Sequence, residues 1–405
     1  MAGYFQWVPA KVVGFTVEVA RDLKRNAGAY FSDVPVQHLR PNRFGKGGVE
    51  VVDPARVQPS VTFVTGLFGQ KLGARLYGAD GELIHEWPVN FFTIALDELA
   101  YPFDALIHGD IMFENGDFVA NFEGRGIVRV SACGDILWQN RDKSHHSIDV
   151  DDNGDLWTPV YVDTYRNEQI TSAPCWFDAI ARFDPATGKK MEVIDLVQAV
   201  VKSDKMGLVL ANTLKPRDMM HLNDAEVLKA VTAAAFPMFA AGDIVLSSRN
   251  YNQIWVLDRK TETIKWSMMG PVIGQHDPDF QPDGTITIFD NRPGGRGTVA
   301  NGLKGYRGGS RIVTVDPAND RHYVRYASDD RNVFYTPYRG KHQVLENGNI
   351  LITETDAGWA FEVTEDGEVV WSFINKWDGS RVAWVMKATK YPASYADFAK
   401  TACPE

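Results

Sequence analysis

A histidine, a turn glycine eight residues later and then an apolar strand recur at His108/Gly116, His146/Gly154 and His276/Gly284. In the last copy, Gln275 to Asn291, a Pro282-Asp283-Gly284 turn leads into Thr285-Ile286-Thr287-Ile288-Phe289-Asp290. Asp-Gly between two strand-like runs is a strong hairpin signal. Related hairpins run from Ile111 through Asn115-Gly116 to Val119, from Ala225 to Leu246, and from Gln343 through Asn347-Gly348 to Leu351. A second hairpin type alternates with the first. One strand ends in an acidic or small residue, a turn follows, and the next strand ends in an aromatic. Copies lead to Trp87, Trp138, Trp266 and Trp371, with weaker ones around Asp184-Pro185 to Val193 and Asp316-Pro317 to Tyr326. Two hairpins make a four-stranded antiparallel unit, and the shortest spacing is that of a propeller blade, ~40–45 residues. Six units predict an all-β fold, a six-bladed β-propeller. The alternative is a β-sandwich with a second β domain, which the regular spacing disfavours.

The first unit, Val61 to Trp87, lacks an innermost strand, while the strand-like Val382 to Ala388 has no unit of its own. The C-terminal strand is therefore expected to close the ring. The organisation read from the chain is an N-terminal helix and extended segment over residues 1–57, a propeller over 58–395 and a tail over 396–405. Val8 to Arg25 has a loose helical pattern, and Asn26 to Gly48 reads as extended.

In a blade the first strand lies beside the central channel. The start of that strand, the end of the second, and the loop to the third share one face. His108, His146, His221, His276 and, less regularly, His342 all stand near first-strand starts. Second strands end at Ser247-Ser248-Arg249-Asn250, Phe289-Asp290-Asn291 and Thr353-Glu354-Thr355. Residues far apart in sequence thus converge on one funnel. The loops on this face include an insertion at 163–176 and a Gly- and Arg-rich stretch, Arg292 to Gly309, which fits a lid that attracts anions. Further insertions span Ser203 to Pro216 and the Ala-rich, helix-like Lys229 to Ala241.

The residue types narrow the chemistry. One axial histidine is usually structural; four or five at one repeat position call for more. A divalent metal with Asp110, Asp224 or Asp277 is one reading, but no HxH or HExxH spacing supports it. Imidazoles with an arginine suit a tetrahedral oxyanion, because the guanidinium fork matches its oxygens and imidazole exchanges protons near neutrality. His145 and His146 are adjacent, so they point to opposite sides; the spacing selects His146 for the channel and leaves His145 a packing or turn role. The net charge of −10 argues against nucleic acid as a partner. Three cysteines, Cys133, Cys175 and Cys403, leave room for one disulfide. No apolar run is long enough for a transmembrane helix, and the N-terminus lacks signal-peptide features.

With His145-His146 and the Asp152-Asn153-Gly154 turn, Met220-His221-Leu222-Asn223, Ile244 to Arg249, Gln275 to Asn291, and Glu346 to Thr353, the chain resembles the bacterial PAPS-independent arylsulfotransferases. The resemblance spans about residues 60–395. It implies ping-pong sulfuryl transfer between an aryl sulfate donor and a phenolic acceptor, small molecules both, with no cofactor and no metal. His276 matches the family's nucleophile, which becomes transiently sulfated. His221, Asn223 and Arg249 match groups that bind sulfuryl oxygens, and His146 matches the acid and base. His108, His342 and Asn291 join them as substrate-side candidates. A homodimer is left open. The resemblance implies a periplasmic protein, whereas Met1 as the natural start would make it cytoplasmic. The chain departs from the family in lacking its sizeable N-terminal domain, an export signal and a cysteine pair at the matching place. Other functions weighed are a lyase or hydrolase using His146 and His276, a non-catalytic ligand-binding propeller and, more distantly, a quinone-dependent dehydrogenase.

Overall fold

In the computed structural model, which describes residues 35–94, 106–167, 171–210, 218–293 and 309–403, six antiparallel sheets form the blades of a propeller. Blades 2 to 5 each consist of four consecutive strands. Their innermost strands are Ile107–Met112, Asp149–Val150, Leu222–Val227 and His276–Phe280. Blade 6 begins with Lys341–Val344 and gains a fifth, outermost strand, Gly48–Val51, from the N-terminal segment. Blade 1 is completed as its sequence demands. Val385–Tyr391 pairs with Val61–Phe68 as the inner strand, so the last blade-forming segment closes the ring on the first.

The second strands are sandwiched between neighbouring blades. Phe118–Phe122, Ile244–Ser248, Ile286–Asp290 and Ile350–Glu354 are buried at every position. A strand covered on both faces needs a continuous apolar or hydrogen-bonded run rather than alternation. The interblade layers are aromatic. Phe63, Trp87 and Phe118 pack between blades 1 and 2, Trp157 and Trp255 between 3 and 4, and Phe289 and Phe361 between 5 and 6. Each such side chain stabilises the ring by roughly 1.5–3 kcal/mol through burial. The turn at Gly284 is made as expected: its φ is +82°, its N–H bonds the Gln281 carbonyl at 3.1 Å, and Asp283 Oδ1 accepts from Thr285 N.

The insertions divide. Residues 163–167 and 171–176 belong to two long strands, Leu156–Asn167 and Thr171–Phe183, which extend the blade 3 hairpin. Lys229 to Ala241 carries a short helix, Ala230–Ala233. The helix expected at Val8 to Arg25 and the Gly-rich loop over 294–308 lie outside the described residues. The tail turns through Ala393–Lys400, puts Phe398 against Trp87, and ends in a disulfide between Cys403 and Cys133 of blade 2. No helix among the described residues is long and apolar enough to cross a membrane.

Candidate active site

The inner strands begin irregularly, and the irregularity places the histidines. Register breaks fall between Ile107 and Asp110, Leu222 and Asp224, and His276 and Asp279. A bulge re-aims the side chains beside it. His146 and His221 have φ of 61° and 48°, the left-handed region that costs a non-glycine residue about 1–3 kcal/mol. Gly109 lets blades 2 and 3 meet. A Cβ there would lie 2.6 Å from the Ser147 carbonyl carbon and 2.8 Å from the His146 oxygen. Side-chain amides then lock the loops: Asn121 Nδ2 donates to the Ser147 carbonyl at 3.0 Å and Asn223 Nδ2 to the Gln275 carbonyl at 2.7 Å.

The result is a chain of rings. His108 and His146 lie 4.7 Å apart between centroids, and His146 and His221 lie 5.0 Å apart, both edge to face. His108, His146, Asn223 and His276 line one cavity with Arg339, Gly340, Lys341 and Met386. His221 is anchored by Asp218, whose Oδ2 is 2.6 Å from its Nδ1. Burial, reinforced by mutual repulsion, holds the His146 ring well below the usual imidazole range. Burial also brings His108 down to about 4, against an opposing pull from Glu123. His276 is held well below its usual range by burial and then by the nearby Arg249 charge. These three imidazoles are therefore neutral at pH 7.

The His276 tautomer follows from its neighbour. Asn291 spends its Nδ2 hydrogens on the carbonyls of Thr336 (2.9 Å) and Arg339 (2.5 Å). Its Oδ1 must then accept, and it lies 2.7 Å from His276 Nδ1. The proton sits on Nδ1, and Nε2 keeps its lone pair. That lone pair accepts only a 3.2 Å contact from the Arg339 backbone N–H.

Arg249 stacks over Tyr338 at 5.0 Å, and its Nε has no partner. It pairs with no carboxylate among the described residues, and burial lowers its hold on the proton. Arg339 is a second such group, stacked over Trp384 at 4.4 Å, with φ of 64° and an unpartnered Nε. Sequence reading missed Arg339, Asp218 and Asp178. Arg339 stands three residues before His342, near the same repeat position, and that spacing is the signal that could have found it.

His342 does not join this cavity. Its Nδ1 lies 2.9 Å from Asp277 and its Nε2 2.8 Å from Thr287 Oγ1, and it lines a separate chamber further along the channel with Asp224, Glu226 and Asp279. Lys341 divides the two, its Nζ bonded to Asp224 and, at 2.8 Å, to Asp277. Burial, partly offset by Lys341, raises Asp224 to about 6, and burial keeps Glu226 and Asp279 well above the usual carboxylate range. Asp277, Asp279 and His342 offer donor atoms within 4.8 Å of one another. His342 spends both ring nitrogens on protein partners, so this trio fits an internal hydrogen-bond network better than a metal shell. Asp110 bonds Thr65 Oγ1 at 2.6 Å. His145 is also not a mere packing residue: it is fully buried and its Nδ1 lies 2.8 Å from His146 Nδ1.

No curated protein matches the chain. Among solved structures, a protein of unknown function from Bacteroides caccae is similar with a TM-score of 0.50 at 9% identity, covering 82% of this chain and 99% of that one. A streptogramin B lyase gives 0.44 at 12% identity, over 87% and 97%. Virginiamycin B lyase from Staphylococcus aureus gives 0.36 at 12% identity, over 67% and 71%. The first likeness concerns the fold alone, and the other two are too distant to bear on function. The sequence profile of the arylsulfotransferases (ASST), by contrast, matches residues 109–376, about two thirds of the chain, and this span holds His146, His221, Arg249 and His276. With that match and six blades converging on one histidine-lined cavity, the chain belongs to the arylsulfotransferase (ASST) family.

Proposed function

We propose that the protein moves a sulfuryl group from an aryl sulfate to a phenol in two steps, with His276 Nε2 as the nucleophile. The observation that carries this reading is the tautomer of His276, which leaves a lone pair on Nε2 of a ring that lines one cavity with His146 and Asn223. In the first step Nε2 bonds to sulfur and the S–O bond breaks, its electron pair leaving on the donor phenolate. In the second, the acceptor oxygen attacks sulfur, the N–S pair returns to Nε2, and the acceptor proton passes to His146. Arg249, His221 and Asn223 hold the sulfuryl oxygens, where charge develops in a loose transition state. The Arg339 N–H occupies Nε2 in the resting site and gives way to sulfur.

The test is turnover of p-nitrophenyl sulfate with and without an added phenol. The expected result is p-nitrophenol release that the phenol accelerates, a sulfated phenol as product, and a sulfated His276 peptide after quenching. Release indifferent to every phenol tried, with no labelled peptide, would rule the reading out.

The pH profile follows from the same groups. Transfer needs His276 and His146 neutral, and both titrate well below 6.5. An ordinary histidine is only about a quarter neutral at pH 6. Here both remain neutral there, so kcat/KM should hold level from pH 7 down through pH 6 and fall only at lower pH. An acid limb between pH 6 and 7 would contradict the neutral pair.

A further inference from the structure

His146 is not alone on its side of the cavity. His145 precedes it, fully buried, and stacks on Tyr161 with 3.9 Å between centroids and 17° between planes. One face of the ring is thus fixed, and its two nitrogens point at different partners. Nδ1 lies 2.8 Å from His146 Nδ1. Nε2 lies 3.2 Å from Asp178 Oδ1, a close contact whose angle falls short of a full hydrogen bond. Asp178 is itself held in place, with its Oδ2 accepting from the Leu222 N–H at 2.8 Å. The side chains of Asp178 and His145 are 3% and 0% exposed, so water does not compete for these contacts.

We propose that Asp178 and His145 form a relay that sets the tautomer of His146 and so keeps its Nε2 ready as a base. The chain of assignments runs inward. The relay places the His145 proton on Nε2, facing the carboxylate, which only accepts. His145 Nδ1 then has a lone pair, and the proton in the Nδ1 to Nδ1 bond belongs to His146. His146 Nε2 is left unprotonated and turns to the cavity. When it takes the acceptor phenol's proton, the imidazolium is bonded through His145 to a buried carboxylate. Asp178 and His145 touch no substrate; they are positioning residues acting through His146. The other charged or titratable groups around His146 include His108 and Glu123 of blade 2, His221 with Asp218 before blade 4, His276 of blade 5, and Arg339 and Lys341 of blade 6. None of these bonds His146 Nδ1.

This proposal rests on the sulfuryl-transfer reading, and one variant separates the two. In Asp178→Asn the amide oxygen keeps the Leu222 N–H, and the NH2 faces His145 Nε2. Each proton along the relay then shifts, and neutral His146 carries its proton on Nε2. The acceptor step, measured with a weakly acidic phenol, should fall by about 10²–10⁴. The p-nitrophenol burst, whose leaving group departs without a proton, should change by less than tenfold. Equal losses in both steps would mark a structural role and overturn the relay. Should the variant fail to fold, ¹⁵N-histidine spectra of the wild-type protein decide the matter. The relay requires a proton-free Nε2 on neutral His146, and a protonated Nε2 overturns it. Absence of any burst from the wild type defeats the sulfuryl-transfer reading, and the tautomer still decides the relay.

Discussion

His276→Ala is expected to lower phenol-dependent transfer by on the order of 10⁴–10⁶, with no p-nitrophenol burst and no sulfated peptide. Loss of a nucleophile that forms a covalent intermediate removes the pathway itself, so no neighbouring histidine compensates. The alternatives have different partners. His221 is tied to the Asp218 carboxylate, and His146 shares its Nδ1 with His145. Only His276 has its Nδ1–H on a neutral amide, which orients the ring without adding charge. The substitution also strips Asn291 Oδ1 of its donor, at a cost of about 1–3 kcal/mol for a buried unsatisfied acceptor. A modest drop in Tm is therefore expected with the loss of activity. His276→Asn, which keeps a polar group beside Asn291, should recover part of that stability and none of the transfer. Residual turnover above a few per cent in either folded variant would move the nucleophile elsewhere.

The blades were legible because their period is enforced twice. Each hairpin needs a turn residue such as Gly284, and each interblade layer needs large apolar groups such as Trp87 and Trp371. Both leave marks at regular spacing. The missing inner strand of blade 1 could be assigned because an unpaired edge beside the channel would be unsatisfied. Convergence of His108, His146, His221 and His276 followed from the same geometry. What the spacing could not show was orientation within the bulges. His342 occupies a repeat position like the others, yet it turns to Asp277 and Thr287 and away from the cavity. Alternation along a strand sent His145 away from His146, but the left-handed backbone at His146 breaks that alternation and brings the two rings together. Arg339 was passed over because the repeat was read for histidines, and in the last blade that drew the eye to His342, three residues further on.

Arg249→Ala is expected to cost about 10²–10³ in kcat/KM for the donor, the usual price of one preorganised oxyanion donor. The guanidinium is prepared for an anion. It lies on Tyr338, keeps an unpartnered Nε, and has no carboxylate pairing with it among the described residues. A second effect separates this role from a structural one. Arg249 is the largest charge holding the His276 ring deprotonated, after burial itself. Its removal raises the His276 pKa, so the acid limb of kcat/KM should move to higher pH in Arg249→Ala. Arg249→Lys retains a positive charge but loses the planar fork. It should keep the acid limb close to that of the wild type while losing part of the rate. A packing role would lower Tm and leave the limb unmoved in both variants. If Arg249→Ala shows full activity, or loses rate with no shift of the limb, the arginine does not face the sulfuryl group and Arg339 becomes the cation that does.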